Sequence, residues 1–152
     1  MALPNVFSKT VADQLVQRIQ QLRPDTQAQW GKMSVGQMMA HCNVTYEMLY
    51  TDKHPAPNGF IKFMLKLLVK NSIVNEKPYK KNSGTAPQFL ITTPKDFDVE
   101  QNRLIGFINQ TQALGQAHFE GLESNSFGVL TATEWNNLFY KHLNHHLTQF
   151  GV

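Results

Sequence analysis

With 152 residues, 41% of them hydrophobic and 16% charged, the chain is long enough to close one apolar core and too rich in apolar side chains to stay disordered. A formal charge of +3 is too small to mark a nucleic-acid binder, and the single cysteine, Cys42, excludes an internal disulfide framework or a Cys-x-x-Cys knuckle. The opening MALPNVFSKT has neither the basic nor the apolar region of a leader, and no apolar run reaches membrane-span length, so residues 1–152 read as one cytoplasmic domain.

Val11, Leu15, Ile19 and Leu22 recur at helical spacing until Pro24, which predicts a first amphipathic helix. Ser34 followed by Gln37 has the form of a capping box and opens a second helix to about Tyr50, with its apolar stripe on Val35, Met38, Met39, Cys42, Tyr46 and Leu49. The turn cluster TDKHPAPNG precedes an apolar run from Phe60 to Val69, read as a shorter third helix. From about 75 to 94, prolines interleaved with polar residues predict a long irregular excursion of the kind that borders binding sites, with FLITT (89–93) as its one strand-like stretch. Asp98 and Gln101 suggest a cap for a fourth helix carrying Leu104, Ile105, Phe107, Ile108 and Leu114. Thr131 and Glu134 form a second capping box that opens the last helix, which Gly151 ends. The expected class is all-α: a bundle of four main helices with a short accessory one.

The last helix carries His142, His145 and His146 in YKHLNHHLTQF. At roughly 100° per residue, His142 and His146 stand one above the other on the face that also bears Trp135, Phe139, Leu143 and Leu147. Lys141, Asn144 and Thr148 lie opposite, so the two imidazoles point into the apolar side. Two imidazoles on an apolar face need partners: backbone carbonyls, buried water, or one shared divalent ion, which the i, i+4 spacing suits. Leu143 occupies the place of the glutamate in the His-Glu-x-x-His of metalloproteases, so that class is set aside. His41, on a flanking stripe of its helix with Met38, Thr45 and Met48, is the best third ligand; His54 and His118 sit in turn-like surroundings and read as solvated.

MSVGQMMAHC, closing on His41 and Cys42, together with FGVLTATEWNNLFYKHLNHHLTQFGV at the C-terminus, resembles the DinB/YfiT-like superfamily, in particular a small uncharacterised bacterial branch with a similar His-rich last helix. The resemblance implies a four-helix bundle holding one divalent transition metal, zinc or nickel first, through His41, His142 and His146. His145 leaves a second register open, since His142 and His145 can also converge from i, i+3. The resemblance further implies a thiol-dependent transferase or isomerase that acts on a small-molecule substrate with a low-molecular-weight thiol as cosubstrate. A metal-dependent hydrolase, or a non-catalytic metal- or ligand-binding stress-associated protein, stands beside that reading. Oligomeric state, a homodimer included, is left open.

Cys42 lies on the apolar stripe and reads as a buried structural thiol rather than a nucleophile, and Trp30 and Trp135 read as core aromatics. Glu134 and Asn137 could contact a substrate, although Glu134 is accounted for by the capping box. Lys62, Lys66 and Lys70, followed by Lys77, Lys80 and Lys81, read first as a solvated face and second as a basic lip that attracts an anion. Docking of this stretch on a membrane surface is the less favoured reading, because its charges are evenly embedded.

Overall fold

A computed structural model describes residues 2–152. The protein is mostly helical: α1 (Lys9–Gln20), α2 (Val35–Tyr50), α3 (Gly59–Leu68), α4 (Lys70–Val74), α5 (Phe97–Phe119) and α6 (Ala132–Gln149). Among the described residues the only sheet is a hairpin of β1 (Glu123–Ser124) and β2 (Gly128–Val129), with Glu123 opposite Val129 and Ser124 opposite Gly128.

Both capping boxes form. Ser34 Oγ accepts from Gln37 N while Gln37 Oε1 accepts from Ser34 N, and Thr131 and Glu134 reproduce the same reciprocal pair at α6. Helix α5 starts earlier than its sequence suggested, because Asp96 rather than Asp98 is the N-cap: Asp96 Oδ1 accepts from Val99 N at 2.9 Å. Asp98 then falls in the first turn, where its charge faces the positive end of the helix. Near its far end α5 is broken at Gly115 (φ 74°), a conformation that suits glycine, and the last turn carries Phe119 into the core. There Phe119 stacks on Phe7 at 4.8 Å and meets Phe139 edge-on at 5.7 Å.

Helix α2 packs on both α5 and α6, which also touch each other, and α1 packs on the same two helices. This explains why α2 buries more than the stripe read from its spacing: His41, Asn43, Val44 and Glu47 are buried along with Met38, Met39, Cys42 and Tyr46. Tyr46 joins the helices by stacking on Phe107 (5.5 Å) from α5 and Phe139 (5.1 Å) from α6.

One expectation fails locally, and one element forms as expected but with an unforeseen orientation. FLITT forms no strand; Pro87–Phe89 is a single turn of 3₁₀-helix and the rest is irregular. The apolar run of the third helix is helical but buries none of its residues, and α4 continues from it after a bend at Val69. The excursion from 75 to 94 is otherwise without regular structure. It begins against α6, where Lys141 Nζ donates to Ser72 O and Asn75 Oδ1, and passes over α2 at Phe89.

Candidate metal centre

Helices α2 and α6 bring His41, His142 and His146 together, with one nitrogen from each ring lying within 4.8 Å of the other two. The ring centroids form a nearly equilateral triangle, 4.9 Å between His41 and His142, 4.5 Å between His41 and His146, and 4.9 Å between His142 and His146. His41 and His146 are buried and His142 is half-buried. His145 is not part of this cluster: its ring turns edge-on to Trp30 and Tyr79, each 5.8 Å away, and to His146 at 5.0 Å.

Each of the three rings is held from behind through Nδ1. His41 Nδ1 lies 2.8 Å from the carbonyl of Phe89, which can only accept, so the proton sits on Nδ1 and Nε2 keeps its lone pair. His146 Nδ1 lies 2.8 Å from Gln149 Oε1, and that amide is oriented by its own donation from Nε2 to Trp30 O at 2.7 Å, so His146 is again an Nδ1 donor. His142 Nδ1 meets Thr45 Oγ1 at 2.9 Å, and a hydroxyl can donate or accept. If Thr45 donates, His142 carries its proton on Nε2 and gives it to His41 Nε2, 2.9 Å away. If Thr45 accepts, all three Nε2 atoms present lone pairs to one point. That donor set fits a divalent cation, and the hydrogen bonds behind the rings are of the kind that orient metal-binding histidines.

Burial favours the neutral form in each ring. It pushes His41 and His142 below the usual imidazole range, with the neighbouring histidines adding to the effect, and takes His146 down to about 3 against the opposing hydrogen bond to Gln149. The cluster contains no carboxylate. Three neutral donors leave the charge of a divalent ion unbalanced in a poorly solvated place, which favours an anionic exogenous ligand.

A scan against protein families matches residues 7–151 to a family described as a protein of unknown function (DUF1569). The chain belongs to the DUF1569 family. Neither curated proteins nor solved structures yielded a match. In this DUF1569 chain the matched segment contains all three histidines of the triangle and every residue that holds them from behind.

Several sequence readings are corrected by the packing around the site. Lys141, on the side opposite the imidazoles, is nonetheless buried: the start of the excursion covers it, its Nζ lies 4.6 Å from the Tyr79 ring centroid, and burial lowers its ammonium to about 8. Trp30 is half-exposed, with Lys81 Nζ 4.1 Å from its ring centroid, whereas Trp135 is a core residue as expected. His54 is not simply solvated, since its Nε2 lies 2.7 Å from the buried Glu47 carboxylate. Lys62 and Lys70 pair with Glu123 and Glu134, so two rungs of the lysine ladder are already occupied. Asn137 is structural, donating to Val74 O. Cys42 is buried beside Met38 Sδ, and burial pushes its thiol far up, which suits a structural rather than a nucleophilic role.

Thr45, Gln149, Trp30 and Phe89 were not read as parts of the site from sequence. Gln149 follows His146 by one turn and so had a local signal, whereas Thr45 holds His142 from 97 residues away and had none. Phe89 had none, because its contribution to His41 is a main-chain carbonyl.

Proposed function

We propose that the protein is a divalent-metal-dependent enzyme on a DinB/YfiT-like four-helix bundle, acting as a thiol-dependent transferase or isomerase on a small molecule. The observation that carries this reading is the convergence of His41, His142 and His146, each with Nδ1 engaged and Nε2 directed inward. The placement of these residues, one on the second long helix and two a turn apart on the last, supports this reading, as does the packing of both α1 and α2 against α5 and α6.

A divalent ion held there supplies a Lewis acid that polarises an oxygen or sulfur ligand. The protein's own part is positional. Phe89 O, Thr45 Oγ1 and Gln149 Oε1 fix the three rings, and burial keeps them neutral and able to donate at neutral pH. The Phe89 side chain, 5.3 Å from the His41 ring and 5.8 Å from that of His142, limits access of water from that side. An all-histidine set suits zinc or nickel, and its lack of negative charge suits a thiolate as the exogenous partner.

The same cover over the rings also favours a second reading, a non-catalytic metal-binding protein. A screen of low-molecular-weight thiols against small electrophiles separates the two. Metal-loaded protein should accelerate conjugation or isomerisation, and both metal-free protein and the His142→Ala variant should not. Equal background rates for loaded and metal-free protein across the screen would replace the enzyme reading with the binding one.

A further inference from the structure

Helix α3, GFIKFMLKLL, is well formed: Asn58 Oδ1 caps it by accepting from Ile61 N at 2.9 Å. Its orientation is unusual for so apolar a helix. Phe60 is 74% exposed, Phe63 60%, Leu67 65%, Leu68 67% and Ile61 46%. At roughly 100° per residue, Phe60, Phe63 and Leu67 form one continuous stripe, with Leu68 and Ile61 beside it. The side turned toward the protein is held by a charged contact, Lys62 Nζ to Glu123 Oε1 at 2.7 Å. The amphipathic helix therefore presents its greasy face to solvent.

Charge identifies what this face suits. Residues 53–81 hold seven lysines and one acidic residue, Glu76, so half of the chain's 14 basic side chains lie in this stretch. Lys62 and Lys70 are paired with Glu123 and Glu134, which leaves Lys66, one turn after Lys62, as the exposed lysine of α3 beside the apolar stripe. A second copy of the chain fits poorly. Face-to-face pairing through α3 would bring two lysine-rich stretches together, and the patch, on the order of 500 Å², falls short of the about 800 Å² per partner of a standard interface. A helix of this length cannot span a bilayer, but it can lie in the interface with phenylalanines and leucines immersed and lysines among anionic headgroups.

We infer that α3 is a docking element for anionic lipid surfaces, with Phe60, Phe63 and Leu67 entering the acyl boundary and Lys66, within the lysine-rich stretch 53–81, selecting negative headgroups. This inference is independent of the metal-dependent reading, because α3 contributes no side chain to the histidine cluster. Immersion also needs no repacking, since no α3 residue is buried in the protein.

Flotation of the full chain with lipid vesicles tests it. Vesicles containing about one-third phosphatidylglycerol should carry the protein upward, pure phosphatidylcholine vesicles should do so at least about tenfold less, and raising salt should weaken the anionic binding. The double variant Phe63→Ser, Leu67→Ser should lose at least about tenfold in partition while keeping its circular dichroism and melting temperature, both positions being exposed. Lys66→Glu should reduce the preference for anionic vesicles. Phe63→Trp provides a second readout, a blue shift of emission on anionic vesicles only. Failure to float, equal partition of wild type and double variant, or an unshifted Phe63→Trp emission would overturn the inference. A concentration-dependent dimer that the double variant abolishes, without vesicle binding, would overturn it in favour of a copy-to-copy interface.

Discussion

The Nε2 atoms of His41 and His142 face each other at 2.9 Å, one reaching from α2 and the other from α6. Because the Phe89 carbonyl fixes the proton of His41 on Nδ1, the state of the pair is set at Thr45, whose hydroxyl either donates to or accepts from His142. Ligation of a cation by both rings requires Thr45 to accept. Thr45→Val keeps the shape of the side chain and removes that choice. It should weaken zinc or nickel binding about 10- to 100-fold by titration calorimetry, while His142→Ala should abolish it. Unchanged affinity in Thr45→Val would show that the hydroxyl does not govern the site.

Gly31 is a more remote handle on the same centre. It holds φ +85°, and a Cβ there would lie 2.5 Å from Gln149 Nε2, the amide that orients His146. Gly31→Ala should therefore displace Gln149 and reduce metal affinity, in addition to straining the backbone. Its effect on affinity should largely disappear in a Gln149→Ala background, where there is nothing left to displace. Additive losses in the double variant would rule out this route.

Metal should raise thermal stability by mass action, because only the folded chain brings the three nitrogens together. At a free ion concentration a hundred times the dissociation constant the gain is about 2.7 kcal/mol, or roughly 5–10 °C for a chain of this size. Differential scanning calorimetry with and without chelator measures it. A melting temperature insensitive to verified metal loading would exclude a stabilising metal.

Acid should destabilise the protein in a window set by Glu47. Its side chain is 2% exposed; burial alone would raise its pKa, but hydrogen bonds from Arg103, His54 and Lys53 prevail and hold it near 2. The unfolded chain takes up this proton near the ordinary value of 4.5 and the folded chain only near 2. The contribution of Glu47 is thus fully present above about pH 4.5 and fades as pH falls toward 2. Glu47→Gln should cost on the order of 1–2 kcal/mol at neutral pH, because Arg103 is partly exposed and keeps its pair with Glu100, and should flatten the stability profile below pH 4.5. Urea melts from pH 3 to 7 test both effects; an unchanged acid limb would show that other carboxylates control it.

Cys42→Ala should cost only about 1–2 kcal/mol for the small cavity left beside Met38 and should leave metal stoichiometry intact. Loss of metal in this variant would show that the thiol reaches the centre.

What the sequence determined by itself is local. The boxes Ser34–Gln37 and Thr131–Glu134 fix where α2 and α6 begin, and the four-residue interval fixes that His142 and His146 share a face, because each relationship is completed within about one turn of chain. Tertiary packing decided which surfaces of those helices are covered. His41 meets a carbonyl 48 residues away and a histidine 101 residues away, and no short-range spacing encodes either contact. Lys141 lies opposite the apolar stripe yet is buried because the excursion passes over it, and α3 has the composition of a core helix yet no element among the described residues buries its apolar face. Periodicity states that a helix has two faces; which of them meets protein depends on neighbours that the local chain does not specify.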